Sequence, residues 1–264
     1  MINKKNIKNL ILSEIKKELV LFEDTANVEN IETEFANEYR FFTAKAKEFI
    51  EDNFLSYTGK NRKIYNEEIA SLKSFDFYGG KIFINYEKGD IKTFLAAKNK
   101  DYIKYIKADN FFPIPIVVSN IVVTGDNKII FLKDKNCALI DDYVKNCDII
   151  SEKIDFLGCF RRQIKDTIGE AIGVKNSKLI GIYQSDKCVL VFSHNIDQGS
   201  DYIEKIQAGN STSSNCSDLL FLSNEEDSIG TAIKNDNFSN GSRIALKFHL
   251  KENFFNYNYI NTKI

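Results

Sequence analysis

The stretch that decides the fold runs from Phe156 to Val174 and has the sequence FLGCFRRQIKDTIGEAIGV. Its apolar residues recur at three- and four-residue steps, which predicts a helix from Phe156 to Ile172. Gly173 comes directly after this pattern, as is typical of a glycine that ends a helix. We therefore expect one long helix with an apolar face and a polar face.

Strand patterns lie on both sides of this helix. The turn around Gly125-Asp126 separates two apolar runs, which predicts a hairpin. Asn224-Glu-Glu-Asp227 is typical of a helix start. The elements expected around the central helix are a hairpin (116–123 and 129–132), two strands (179–183 and 188–192), a further strand (219–222), a helix from about 224 and a last helix or strand (241–250).

The first part of the chain has mixed patterns. An apolar stripe of helical period predicts a first helix, and a second stripe predicts another from Ile31 to Leu55. The first stripe consists of Ile7, Leu10, Ile11, Ile15 and Leu19. Strands turning at Gly79-Gly80 follow, and the proline cluster at 113–115 predicts a boundary. We expect three regions: an N-terminal helical and β part (1–112), a main domain (113–250) and a tail (251–264).

Composition excludes several classes of protein. The 264 residues include 36 basic and 37 acidic side chains, so a net charge of −1 gives no support to capture of nucleic acid or anionic membrane. The five cysteines form no CxxC pair, and only His194 and His249 are available to complete a metal site, so zinc spacing is absent. The sequence contains neither a signal-type apolar region nor a membrane-length apolar run, which favours the cytoplasm.

The order of these elements resembles the Nudix fold. The resemblance is anchored at Ile168-Gly-Glu-Ala-Ile-Gly-Val174, which is placed where the Nudix box R-E-U-x-E-E-x-G-U ends, U being an apolar residue. Residues 121–132 are similar to the opening hairpin of that family. Residues 75–95 and 239–246 are similar to its UDP-glucose pyrophosphatase branch. The resemblance covers roughly residues 60–250 and implies an α+β or α/β protein, with a Nudix-like α/β/α sandwich after a helical and β N-terminal part.

The family resemblance implies an activity and a cofactor. Nudix enzymes are pyrophosphohydrolases in which glutamates on one helix hold Mg²⁺, which clamps a diphosphate and activates water. With Gly173 as the box glycine, the adjacent glutamates fall on Glu170 and Ala171, while the arginine and the glutamate after it fall on Asp166 and Thr167. Because carboxylates are missing, we expect Mg²⁺ to bind weakly or not at all.

The candidate site residues follow from this placement. Glu170 is the candidate catalytic residue, and Asp166, Glu170 and Glu152 are candidate ligands of Mg²⁺. Asp166 and Glu170 are four apart, so both are expected on one helix face. Arg161 and Arg162 are candidates for binding the phosphates of a ligand. The alternative is that these residues are ordinary solvated positions of an amphipathic helix.

Two functions remain open at this point. The first is hydrolysis of a nucleoside diphosphate-linked small molecule such as a UDP-sugar, and the second is a catalytically silent Nudix fold that binds a nucleotide or a protein. His194 is either a base or a hydrogen-bonded strand residue. The N-terminal apolar stripe is expected to pack against the body of the protein or against a second subunit in a homodimer.

Overall fold

The structure is a computed structural model that describes residues 19–36, 42–60, 64–105, 112–133, 136–210 and 218–255. These residues form fourteen strands and seven α-helices. The strands are β1 (Leu19–Phe22), β2 (Ala26–Asn27), β3 (Ile31–Phe35), β4 (Glu68–Tyr78), β5 (Lys81–Asp90), β6 (Ile116–Val123), β7 (Lys128–Lys133), β8 (Cys137–Ala138), β9 (Ile140–Tyr143), β10 (Ile149–Ile150), β11 (Lys153–Ile154), β12 (Val174–Gln184), β13 (Cys188–Ile196) and β14 (Asp218–Ser223). The helices are α1 (Ala44–Lys60), α2 (Ile91–Ala97), α3 (Tyr102–Tyr105), α4 (Phe156–Ile168), α5 (Ser200–Asn210), α6 (Glu226–Lys234) and α7 (Asn240–Leu250).

A large mixed sheet forms the centre of the molecule. Its main strand order is β1-β12-β13-β6-β7-β14, with β2 also paired to β12, β8 to β7 and β9 to β6. β6 and β13 run parallel, with Ile116 opposite Cys188. All eight residues of β6 are buried, as expected of a central strand whose two faces are both covered.

Helices cover both faces of this sheet. On one face, Phe160 and Ile164 of α4 and Ile203 of α5 belong to the same apolar cluster as Val122 and Ile130. On the other face, α6 and α7 contribute a second cluster, made by Ile229, Ala232, Ala245, Leu246 and Phe248. The result is an α/β/α sandwich. The α+β class predicted from the sequence is confirmed.

A smaller sheet with the order β3-β5-β4 accompanies the sandwich. Its inner residues, including Ile82 and Ile84, share an apolar cluster with Val118 of β6 and Leu190 of β13. The β10–β11 hairpin lies beside β3, where the Ile154 N–H donates to Thr33 Oγ1 at 3.0 Å. The large sheet takes strands from both sides of residue 112, because β1 and β2 pair with β12. The region limits given above remain a prediction.

The central helix is shorter than the sequence pattern predicts. It ends at Ile168 rather than at Ile172, and its terminal glycine is Gly169 rather than Gly173. Gly169 has a φ of 91° and its N–H donates to the carbonyl of Lys165. This left-handed conformation, which glycine adopts at little cost, stops the helix one turn early.

Two N-terminal predictions also differ from the structure. Leu19 begins β1 instead of ending a helix, and Ile31–Phe35 forms β3 instead of starting the second helix, which begins at Ala44. β3 pairs with β5 in parallel, a contact across about fifty residues that the local pattern does not contain. The rest of the first predicted helix lies outside the described residues.

Other predicted elements agree with the structure. The hairpin of 116–132, the strands around 179–192 and the helix after Asn224 are confirmed, and the last element is a helix, α7. Over the described ranges, no helix is both long enough and apolar enough to cross a bilayer.

Packing between α7 and the sheet gives a testable prediction. Gly181 of β12 lies directly under Phe248, and a Cβ there would overlap the aromatic ring. We expect Gly181→Ala to lower the free energy of unfolding by about 1–3 kcal/mol in urea denaturation, because the well-packed layer must shift. Gly59→Ala in α1 is the control, because its Cβ would meet no atom within 4 Å. Equal stability of the two variants would contradict the packing described.

Candidate functional site

The candidate site is built around α4, whose two ends are fixed by local chemistry. Asp155 precedes the helix and its Oδ1 accepts a hydrogen bond from the Gly158 N–H at 2.9 Å. Such a cap satisfies one of the backbone donors that a helix start leaves unpaired. Gly169 closes the other end, so the helix offers three and a half turns on which side chains reach the sheet.

Arg162 joins α4 to the segment that precedes it. Its Nε and Nη2 donate to the two carboxylate oxygens of Asp148 at 2.9 and 2.8 Å. Its Nη1 donates to Asp142 Oδ2 at 2.8 Å, and Nη2 also donates to the carbonyl of Tyr143 at 3.0 Å. The Asp148 side chain is only 3% exposed. Arg162 therefore neutralises a buried carboxylate through a bidentate pair.

The surroundings of Arg162 keep its charge in place. Burial lowers the pKa of the guanidinium, but its hydrogen bonds to Asp148 and Asp142 outweigh burial and leave the pKa raised. Cys159 lies one turn earlier, and burial raises the pKa of its thiol. A buried thiol of raised pKa is a poor nucleophile. Arg162 and Cys159 on this side of α4 therefore contribute to the stability of the fold, and neither is a reactive group.

Next to Arg162, the side chain of Gln163 enters a buried amide network. The Asn120 side-chain amide of β6 donates to Gln163 Oε1 and to the carbonyl of Ile140, the latter at 2.9 Å. Gln163 Nε2 in turn lies 3.2 Å from Cys159 Sγ and 3.4 Å from the carbonyl of Asp142. Both amide side chains are buried, so these bonds replace those that water would have made.

His194 of β13 completes this network. Because both donors of Asn120 are used, its Oδ1 accepts from His194 Nε2 at 2.9 Å, which puts the proton on Nε2. The imidazole stacks on Phe160 at 3.9 Å between ring centroids. Nδ1 has no hydrogen-bond partner among the described residues. Burial lowers the pKa of His194 to about 3, so the ring is neutral at physiological pH.

The helix end changes how the Nudix box lies on this chain. If the box glycine is the residue that ends the helix, it is Gly169, and every box position moves back by one turn. The box arginine then falls on Arg162 and its first apolar position on Ile164, both of which fit, while its last apolar position falls on Glu170, which does not. Its three glutamate positions fall on Gln163, Asp166 and Thr167.

The structure places the predicted metal ligands in three different surroundings. Asp166 is in the last turn of α4, 65% exposed, with Oδ2 3.8 Å from Arg162 Nη1. Glu170 lies beyond the helix end, so the two do not share a helix face, and its Oε1 accepts from the Tyr202 hydroxyl at 3.3 Å. Glu152 is in the turn between β10 and β11 with a φ of 63°.

The structure does not bring these three carboxylates together. Within the described ranges, no three His, Cys, Asp or Glu side chains converge in a way that could hold a metal ion. Arg161, the other candidate for phosphate binding, is exposed on α4. Sequence reasoning missed Asn120 and Gln163. The one available signal was Gly169, which places Gln163 at a box position when it is taken as the helix end.

Comparison with known proteins gives limited information. The chain is similar to the crystal structure of a hydrolase of the NUDIX family from Clostridium perfringens, with 12% identity and a TM-score of 0.33. The match covers 53% of this chain and 99% of that chain. At these values the likeness has no bearing on activity or substrate. No protein-family model matches the chain, and no curated protein matches it.

The role of Arg162 is open to a stability test. We expect Arg162→Met to lower the free energy of unfolding by about 3–5 kcal/mol, because it leaves Asp148 buried without its partner. Arg161→Met is the matched control, and a change within about 0.5 kcal/mol is expected for this exposed residue. Guanidinium chloride denaturation measures both. Similar losses in the two variants would show that the bonds of Arg162 do not stabilise the fold.

The two buried histidines predict a loss of stability in acid. Burial lowers the pKa of His194 to about 3 and that of His249 to about 4, against about 6.5 when unfolded. Above pH 6.5 neither state binds the proton. Between pH 6.5 and the pKa values of the folded state, only the unfolded chain binds the proton. Each histidine therefore lowers the free energy of unfolding by up to about 1.4 kcal/mol per pH unit as the pH falls.

This acid effect is measured best on the imidazoles themselves. We expect their native-state NMR resonances to stay at neutral positions down to about pH 5, while the urea midpoint falls from pH 7 to pH 5. Native titration of both rings near pH 6.5 would contradict the burial described.

Proposed function

We propose that this protein is a Nudix-like module that binds a nucleoside diphosphate-type ligand and does not hydrolyse it. The observation that carries the proposal is the position of Gln163. At the place where the box has its first glutamate, this chain has a neutral amide that is buried and bonded to Asn120. A side chain held inside the core in this way is not presented to a ligand at the surface of α4.

The remaining box positions do not compensate for Gln163. Mg²⁺ is a hard cation that takes anionic oxygens in a near-octahedral arrangement, and in a Nudix enzyme it would clamp the diphosphate and activate water. Of the three positions on α4 where the box has glutamate, only Asp166 has a carboxylate, and Thr167 offers a neutral hydroxyl. These residues do not fit the ion, and we derive no catalytic step through it.

The binding half of the proposal rests on the outer face of α4. Arg161 and Lys165 are four residues apart, so they lie on the same face of the helix, and both are exposed. Two cations at this spacing complement the charge of a diphosphate. We assign Arg161 to the phosphate contact. Arg162, in contrast, already bonds Asp148 and Asp142, so its role is to orient α4.

The competing function is hydrolysis, with Glu170 as the catalytic residue and Asp166 and Glu152 assisting Glu170 in holding Mg²⁺. It would require the β10–β11 turn and the segment after Gly169 to bring their carboxylates to Asp166. The module proposed above requires no such movement.

A turnover assay separates the two functions. We expect purified protein with Mg²⁺ or Mn²⁺ to release no more product from UDP-glucose or ADP-ribose than Glu170→Gln does, because the box lacks two of its three carboxylates. Product is measured by chromatography over hours at micromolar enzyme. Robust turnover that disappears in Glu170→Gln would overturn the proposal and show that carboxylates outside the box complete a site.

Binding is tested separately by isothermal titration calorimetry with the same two compounds. We expect saturable binding that Arg161→Gln weakens about three- to tenfold, as for loss of one charge-assisted phosphate contact. Lys47→Gln on the distant helix α1 is the charge-matched control and should leave the affinity unchanged. Absence of saturable binding, or equal effects of the two variants, would remove the nucleotide-binding half of the proposal.

A further inference from the structure

A groove follows the edge of the smaller sheet, on β3. It has a volume of about 790 Å³, which is within the usual range for ligand sites. Its lining comes from β3 and the turn before it, from the end of β4, from β5 and from the β10–β11 hairpin. It includes Glu29, Glu32, Glu34, Tyr78, Phe83 and Lys153. None of these residues belongs to the site on α4, so the groove is a separate surface.

One edge of β3 has no strand paired to it among the described residues, although the β10–β11 hairpin lies beside it. In the described part of the chain, β3 pairs with β5 on one side and ends the sheet on the other. The Ala36 N–H donates to the carbonyl of Tyr86 at 2.7 Å, which fixes the direction of the amides on this strand. Because amide direction alternates along a strand, the N–H and C=O of Thr33 point away from β5. The neighbouring Ile154 N–H bonds the Thr33 hydroxyl, not its backbone.

The side chains of the groove select for positive charge. Glu29, Glu32, Glu34 and Lys153 line it, and Lys81 Nζ donates to Glu32 Oε1 at 2.6 Å, so the acidic side chains still outnumber the basic ones. Tyr78 and Phe83 stack at 4.4 Å with an interplanar angle of 10°, and Tyr78 is largely exposed. Exposed aromatic faces attract ammonium and guanidinium groups. Acidic side chains and an aromatic pair beside an open strand edge therefore complement an extended chain with basic side chains.

We propose that the β3 edge binds an extended peptide segment of a partner protein that has lysine or arginine at alternate positions. The peptide adds as a strand next to β3, with its backbone bonding Thr33. Its basic side chains face Glu34 and Glu32, and at Glu32 they compete with Lys81. β3 has five residues, so about 17 Å of peptide, or five residues, is in contact.

Two other occupants fit the groove less well. A second copy of this chain, paired edge to edge through β3, would bring glutamates of both copies together, and like charges across a strand pair are destabilising. A divalent cation lacks a site, because no described set of three His, Cys, Asp or Glu side chains can hold a metal. A basic peptide can form backbone hydrogen bonds with the strand edge, and its charge complements that of the groove.

Fluorescence anisotropy with a labelled, end-capped heptapeptide of alternating threonine and lysine tests this proposal. We expect saturable binding that the counterpart with glutamate in place of lysine does not show. N-methylation of the threonines on one edge of the peptide, which removes backbone donors but keeps every charge, should weaken binding about tenfold. The double variant Glu32→Gln, Glu34→Gln should weaken it about fivefold.

Matched controls make each outcome decisive. Glu48→Gln, Glu204→Gln changes the net charge equally on exposed helix positions, and less than a twofold change is expected. Thermal unfolding of both double variants checks that they are folded. Equal binding of the N-methylated peptide, equal losses in the two double variants, or no saturable binding would each overturn the proposal. In the last case the glutamates would serve only to keep the open edge from pairing.

Discussion

The guanidinium of Arg162 is the contact on which the geometry of the site depends. It ties α4 to Asp142 and to the Tyr143 carbonyl of β9, and to Asp148 in the turn that follows β9. These bonds set the rotation of the helix about its axis. Because a helix advances about 3.6 residues per turn, fixing Arg162 against β9 turns Gln163 towards the core. The same rotation turns Arg161 to solvent.

The buried face of α4 and its outer face have opposite characters. Inside, Asn120, Gln163 and His194 form a neutral network whose donors are nearly all used, and such networks rigidify a core when their bonds are satisfied. Outside, the charged side chains of Arg161, Lys165 and Asp166 are exposed. At the border between these faces the chain has Gln163, whose amide is buried, and Thr167.

Local patterns predicted much of the fold but little of the site. The hairpin of 116–132 follows from two apolar runs on either side of a turn, and the layered arrangement was implied by the resemblance to the Nudix fold. The end of α4 could not be predicted from the pattern, because Gly169 and Gly173 both suit a helix end. Only the backbone conformation distinguishes them. The sequence of Ile31–Phe35 fits both the helical and the strand period, and its pairing with β5 makes it a strand. The contact between Asn120 and His194 joins residues 74 apart, which no local pattern contains.

The pairing of β1 with β12 has a consequence for the order of assembly. Leu19 lies opposite Gln184, so this edge of the large sheet joins residues about 165 positions apart. A ribosome adds about 5–20 residues per second, so roughly 8–33 s pass between the synthesis of β1 and that of its partner strand. The parallel contact between β6 and β13 also spans a long separation. Such non-local contacts slow folding, and the unpaired β1 is open to capture by other chains during that interval.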